Sequence, residues 1–326
     1  EAAGLKLSDV DVIATNQDSK AHLPRKLLYT IQHRPSLKLI ADRLANRGKR
    51  KAIGDFLSEA FPDQPFHGRF EAVEHHIAHM SSAFHVSPFK SASVVSVDGF
   101  GDFSSAAWGL GQGSEIDVEG RVYFPHSLGI FYQAITQYLG FPHYGDEYKV
   151  MGLAPYGTPV ALDKMRQIVK LEDDGGFKLD TRFFRHHKEG VAYSWEDGSP
   201  VVGDLFSPAL EALLGPRRGK ADELTQYHKD LARSAQRMYE EAFFHLLCRL
   251  HDKHQLDAVT IAGGCGANSV AKAVIPSLSV EGIDFDVTSL PQKSTMYASD
   301  GTTKITEFWD QNREVVPLKK ISKYMQ

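Results

Sequence analysis

The chain has 326 residues, with 37 Lys or Arg against 41 Asp or Glu, a formal net charge of −4, and 42% hydrophobic residues. That composition excludes a disordered segment and removes the global cationic field that would favour nucleic acid or an anionic membrane surface. Two cysteines, Cys248 and Cys265, form neither a disulfide framework nor a paired metal motif, which fits a reducing cytoplasm. No apolar run approaches the length of a membrane span, no signal-peptide pattern is visible, and the chain opens on Glu1, as a fragment would.

In chain order, Val10 to Ala14 reads as a short buried strand and Pro24 to Leu44 as a basic, partly helical stretch. The cluster Arg43, Arg47, Lys49, Arg50 and Lys51 has Asp42 and Asp55 beside it and no interleaved aromatics, so it reads as a solvated face rather than a phosphate-binding surface. Glu74 to His85 is expected to be a helix, and Ser93 to Val97 a strand ending abruptly at Asp98. Ser127 to Leu139 carries Leu128, Phe131, Ile135 and Leu139 at helical spacing. Residues 157–220 look long and irregular, with few periodic cues. The longest helix is expected from near Asp222 to His251, on the stripe Leu224, Tyr227, Leu231, Ala235, Met238, Ala242, Leu246 and Leu250. Strand Ala258–Ala262, a glycine loop, a helix start and strand Ile283–Val287 then give the order of parallel α/β architecture.

His75 and His79 are four apart, so a helix puts both imidazoles on one face, nearly opposite Ile77 and Phe84, where they can share a metal ion. Two ligands do not make a site, and solvated or capping histidines have the same spacing. Asp98 at the tip of an apolar strand suits an ion or phosphate, because ligands of open α/β sheets collect at strand carboxyl ends. Gly99 and Gly101 would let an anion approach the backbone. Gly263 and Gly264 repeat that logic before a helix start. Cys265 lies where a helix start would lower a thiol pKa, yet no base accompanies it, so it reads as a packing residue.

Five motifs in order resemble the NodU/CmcH-type O-carbamoyltransferase family: Glu74 to Phe84, Ser96 to Asp102, Ser127 to Tyr132, Leu139-Gly140-Phe141 with Glu147 to Gly157, and Ala262 to Asn268. The resemblance implies a two-lobed actin/hexokinase-like (ASKHA, RNase H-like) α/β fold. Residues 1–90 would be the remainder of the first lobe, with the metal-binding helix. Residues 91–326 would be the second lobe, with nucleotide-binding loops and a variable insertion over 157–220. It also implies carbamoyl transfer from carbamoyl-adenylate, made from carbamoyl phosphate and ATP by a separate adenylate-forming domain, to a hydroxyl of a sugar or natural product. Nothing after Asp300 is long enough for that domain, so transfer alone is expected of this chain, with the domain elsewhere in a full-length protein or in a partner.

Mapped by motif, His75, His79 and Asp98, with Asp300 as fourth, would be ligands of a divalent ion, iron(II) being expected. Gly99, Gly101, Gly129, Tyr132, Lys149, Gly263, Gly264 and Asn268 would line the adenylate pocket. His76 would assist proton removal or serve behind the ligands. Two departures stand out: no opening strand pair is recognisable before Val10, and Gly301 leads into Thr302 to Thr306 rather than a small-residue helix. An ASKHA-type kinase or hydrolase would not need the histidine pair, and a non-catalytic nucleotide-binding module would suit a chain without an activating domain. Phe183, Phe184, Arg185, His186 and His187 stand either as acceptor contacts or as a solvated loop with one or two anchoring rings.

Overall fold

The computed structural model describes residues 6–33, 53–189, 193–196, 199–268, 294–297 and 304–308. The chain forms two compact units: Glu1–Ile13 with Arg50–Glu71 and Ser279–Gln326, and Ala14–Lys49 with Ala72–Leu278. The basic cluster around Arg47, the expected strand Ile283–Val287 and Asp300 lie outside the described residues. No helix among the described residues is long and apolar enough to cross a membrane.

In the smaller unit, the single turn Leu7–Asp9 is tied to the loop after helix Ile53–Ala60 by a hydrogen bond from the Leu7 amide to Gln64 Oε1 (3.0 Å). An antiparallel pair, Ser294–Tyr297 with Lys304–Phe308, also belongs here. Strand β1 (Val12–Thr15) pairs with β2 (Arg69–Ala72). The expected buried strand at Val10 to Ala14 is corrected: β1 starts two residues later, and its side chains alternate between exposed and half-buried.

The larger unit is a mixed α/β body, and it carries the site. Helix α1 (Leu23–His33) precedes α2 (Ile53–Ala60, of the smaller unit) and α3 (His75–Phe84). Strands β3 (Ser91–Gly101), β4 (Ser104–Gln112) and β5 (Glu115–Tyr123) form an antiparallel meander, and β10 (Val259–Ala262) adds to β3 in parallel, giving the order β10-β3-β4-β5. Between β5 and β10 come α4 (Leu128–Tyr138), α5 (Glu147–Leu153), α6 (Leu162–Ile168), the hairpins β6–β7 (Val169–Leu171, Phe177–Leu179) and β8–β9 (Tyr193–Glu196, Ser199–Val202), α7 (Pro208–Leu214), and α8 (Gln226–His254).

β3 is a near-continuous apolar run because both its faces are covered. Ala92 and Val94 pack with Met80 and Phe84 of α3. Val95 and Val97 point the other way, into the main core with Leu128, Phe131 and Ile135 of α4 and Met238 and Ala242 of α8. Gly111 of β4 makes room for α3, since a Cβ there would lie 2.8 Å from the Phe84 ring. The stripe on α8 is buried from Leu231 to Leu250, whereas Leu224 precedes the helix and Tyr227 is 43% exposed.

Residues 157–220 are not an irregular loop. Met165, Ile168, Phe177, Leu179, Leu210 and Leu214 all enter the main core. Their elements are three-residue strands and seven-residue helices, too short for a repeating pattern to show. Phe183, Phe184, His186 and His187 are likewise buried, which corrects the picture of a solvated loop.

Candidate functional site

The site begins with how α3 starts. Glu74 is its N-cap, its Oε2 accepting from the Ile77 amide at 3.0 Å and from Arg121 Nη1 at 2.9 Å. Burial opposes the charged form of Glu74, but hydrogen bonding with His22 and the Arg121 charge outweigh it, bringing the carboxyl down to about 2. Asp102 Oδ2 accepts from the His75 amide (3.0 Å) and the Asp18 amide (2.7 Å), satisfying another orphan donor of the first turn. Asp102 and Phe103, both at positive φ, make the two-residue turn from β3 into β4.

β3 supplies the third group. With a period of two, Val94, Ser96 and Asp98 face α3 while Val95 and Val97 face the core. The pairing with β4 is broken between Val97 and Gly101, so the strand does not end at Asp98 as its sequence suggests but passes it as an irregular segment. His75 Nε2, His79 Nε2 and Asp98 Oδ2 meet there, each 3.1 Å from the other two. Gly101 is obligatory for this arrangement, since a Cβ would lie 2.0 Å from the His75 ring.

The opposite atoms of two of these groups are already occupied. Asp98 Oδ1 accepts from the amides of Gly99 (2.8 Å) and Gly264 (3.2 Å). His75 also hydrogen-bonds the Asn16 main chain, and with Nε2 in the triangle that bond falls to Nδ1. Burial of Asp98 favours its neutral form, yet hydrogen bonds from His75, His79 and Gly99 hold the carboxyl well below the ordinary range. The same bond to Asp98 raises His75, against burial. Donor atoms about 3 Å apart are the spacing that ligands bonded at about 2.1 Å to one cation require, and two imidazoles with one carboxylate suit a divalent transition ion. The donor set therefore fits a metal.

Asp98 also borders a cavity of about 280 Å³ shared with Gly99, Gly129, Tyr132, Gly264 and Asn268, five of the residues expected at a nucleotide pocket. Ser127 caps α4 beside it, its hydroxyl accepting from the Ile130 amide (3.1 Å) and donating to the Gly99 carbonyl (2.8 Å). At the cavity floor, Gln236 and Asn268 pair their side-chain amides reciprocally at 3.1 Å, and Tyr132 Oη donates to Gln236 Oε1 at 2.8 Å. Burial pushes the Glu147 carboxyl up and the Cys265 thiol well up, opposite to the lowering its place beside a helix start suggests.

Other expected residues sit elsewhere. Lys149 does not border the cavity; its ammonium is 2.6 Å from Asp146 Oδ1. Gly263, with φ of +88°, serves the backbone, since a Cβ would lie 2.4 Å from the Val97 carbonyl oxygen. His76 is fully buried with Nδ1 2.8 Å from Ser96 Oγ, and burial lowers its pKa to about 4. A ring without exposed surface meets no acceptor hydroxyl, so His76 stands behind its neighbours as a packed, neutral group. Sequence reasoning gave no role to Glu74, Asp102, Glu147 or Gln236. Glu74 had the readable signal: an acidic residue immediately before a helix, where an N-cap belongs.

Comparison with known proteins bears on this site. Residues 32–279 match the family model described as Carbamoyltransferase N-terminus. The chain is 33% identical over 272 residues to the nodulation protein NolNO of Sinorhizobium fredii, covering 82% of this chain and 35% of that one. It is 35% identical over 202 residues to the nodulation protein NolO of Bradyrhizobium diazoefficiens, covering 60% of this chain and 32% of that one. It is also 34% identical over 220 residues to the uncharacterized protein sll1178 of Synechocystis, covering 67% and 33% respectively. The chain thus spans about a third of the length of these relatives.

Proposed function

The chain belongs to the NodU/CmcH-type carbamoyltransferase family, and from that premise we propose that it transfers a carbamoyl group from carbamoyl-adenylate to a hydroxyl of a small molecule, on an actin-like fold with a divalent cation held by His75, His79 and Asp98. The observation that carries this reading is the 3.1 Å triangle of donor atoms, one corner of which also borders the glycine-walled cavity. A cation bound there, iron(II) on the family pattern, would supply Lewis-acid polarisation of the carbamoyl carbonyl or the adenylate phosphate.

The chain's own residues do the rest. The Gly99 and Gly264 amides hold Asp98 Oδ1, keeping Oδ2 directed at the histidines. The amide pair Gln236–Asn268, fixed by Tyr132, presents Asn268 to the adenylate in one orientation. Glu147, its carboxyl raised by burial, borders the cavity as a hydrogen-bonding group. An acceptor hydroxyl is a weak nucleophile, so these groups act by positioning and charge stabilisation. Lys149 would reach a phosphate only by leaving Asp146. The adenylate, made from carbamoyl phosphate and ATP, would come from a domain elsewhere in the full-length protein or in a partner, in the cytoplasm.

Bound iron and carbamoyl transfer from supplied carbamoyl-adenylate test the reading. His75→Ala and Asp98→Ala should each lower cation affinity by at least about 100-fold and abolish transfer, since each removes a direct ligand. Unchanged metal content in both variants overturns the site.

A further inference from the structure

A second cavity of the larger unit, about 640 Å³, opens between α1, the end of β5 and the β6–β7 hairpin, and the carbamoyl-transfer reading does not use it. Its walls are aromatic: Tyr29, Phe103, Tyr123 and Phe124, with Tyr29 edge-on to Phe103 and Phe124 at 5.9 and 5.1 Å between centroids. Phe103 sits at φ +78°, a costly region for a bulky residue, so its place at this wall is held against backbone preference.

Two guanidinium groups reach the same space. The Arg121 side chain is only 10% exposed; Nη1 donates to Glu74, and its remaining N–H donors have no side-chain partner among the described residues. Arg25 lies 4.9 Å over the Tyr123 ring and has no carboxylate partner among the described residues. The carboxylates of this cavity are each engaged: Glu172 is 2.6 Å from Lys178 Nζ, and Asp174 accepts from the Gly176 amide at 2.8 Å. Arg121 lines this cavity with the donors that Glu74 leaves open, and the planar fork of a guanidinium matches an oxyanion.

We propose that this cavity binds a small molecule carrying an oxyanion, a carboxylate or a phosphate ester, beside a ring, with Arg121 and Arg25 on the oxyanion and the aromatic walls on the ring. The cavity adjoins the start of α3, because the fixed edge of Arg121 grips the N-cap Glu74, and Asp102, next to Phe103, accepts from the His75 amide.

Titration calorimetry on the chain with phenyl phosphate, benzoate and benzyl alcohol tests this, without cation or carbamoyl donor, so that failure here leaves the carbamoyl-transfer reading untouched. Either or both anionic probes should bind, the stronger revealing which oxyanion is preferred, and benzyl alcohol should bind at least about tenfold more weakly. Arg25→Gln, on a solvent-facing helix position, should weaken the anionic probes about tenfold, and Arg121→Met should abolish their binding. Should Arg121→Met fail to fold because Glu74 loses its partner, Arg25→Gln decides. No heat from either anion at millimolar concentration, equal affinity for benzyl alcohol, or undiminished binding in Arg25→Gln overturns the proposal.

Discussion

The two faces of β3 do different work. Val95 and Val97 are sealed into the main core with α4 and α8, while one residue along in each case, Ser96 meets His76 and Asp98 meets His75 and His79. A strand's two-residue period lets one run of chain contribute to stability on one side and present ligands on the other. The difference teaches that the face carrying His75, His79 and Asp98 is held from behind: its geometry is inherited from a core it does not belong to.

That division can be broken at either face. The largest effect is expected from Phe131→Ala, which empties a fully buried position behind β3 and should cost about 3–5 kcal/mol in denaturant unfolding. The fraction still folded should keep its cation affinity; loss of affinity in folded protein would show that the faces are not separable. Gly101→Ala acts on the other face. Its Cβ would displace the His75 ring, so cation affinity should fall about 10- to 100-fold, with a stability loss of only about 1–3 kcal/mol.

The smallest effect lies at the edge of the sheet. Glu119 on β5 is held below the ordinary carboxylate range: burial works against it, but hydrogen bonds from Lys253 and His254 prevail. A carboxyl with a lower pKa folded than unfolded binds more protons when unfolded, so its contribution is present above the usual carboxylate pKa and fades as pH falls through that range. Glu119→Gln should flatten the acid limb of the stability curve by no more than about 1 kcal/mol, since the group is partly solvated. An unchanged acid limb would remove this pair from the account.

The convergence of His75, His79 and Asp98 was readable because its signals are local. The i, i+4 spacing of His75 and His79 and the apolar run ahead of Asp98 each fall within one element. What was not readable depends on partners distant in sequence. β4 is built from Ser, Ala and Gly between Ser104 and Gly111 apart from Trp108 and Leu110, residues of low strand preference that are there because α3 and β5 press against them. The irregular passage of Asp98 inside β3, the commitment of Lys149 to Asp146 and the sealing of His76 against Ser96 arise only once the elements are packed. Of the glycines expected at the nucleotide pocket, Gly99, Gly129 and Gly264 line the smaller cavity and Gly101 and Gly263 do not; Gln236, in the middle of a long helix and outside every motif, had no signal to offer.

The bond from the Gly264 amide to Asp98 Oδ1 spans 166 residues of chain. Parallel pairing of β10 with β3 closes the same long loop, a step whose entropic cost comes before its reward and which slows folding. On a ribosome, α3 and β3 emerge well before β10, so two imidazoles and a carboxylate await their final clamp while the span of 166 residues from Asp98 to Gly264 is made. The closed geometry of the triangle would therefore arrive late, as a property of the finished topology rather than of the segment that holds the two histidines.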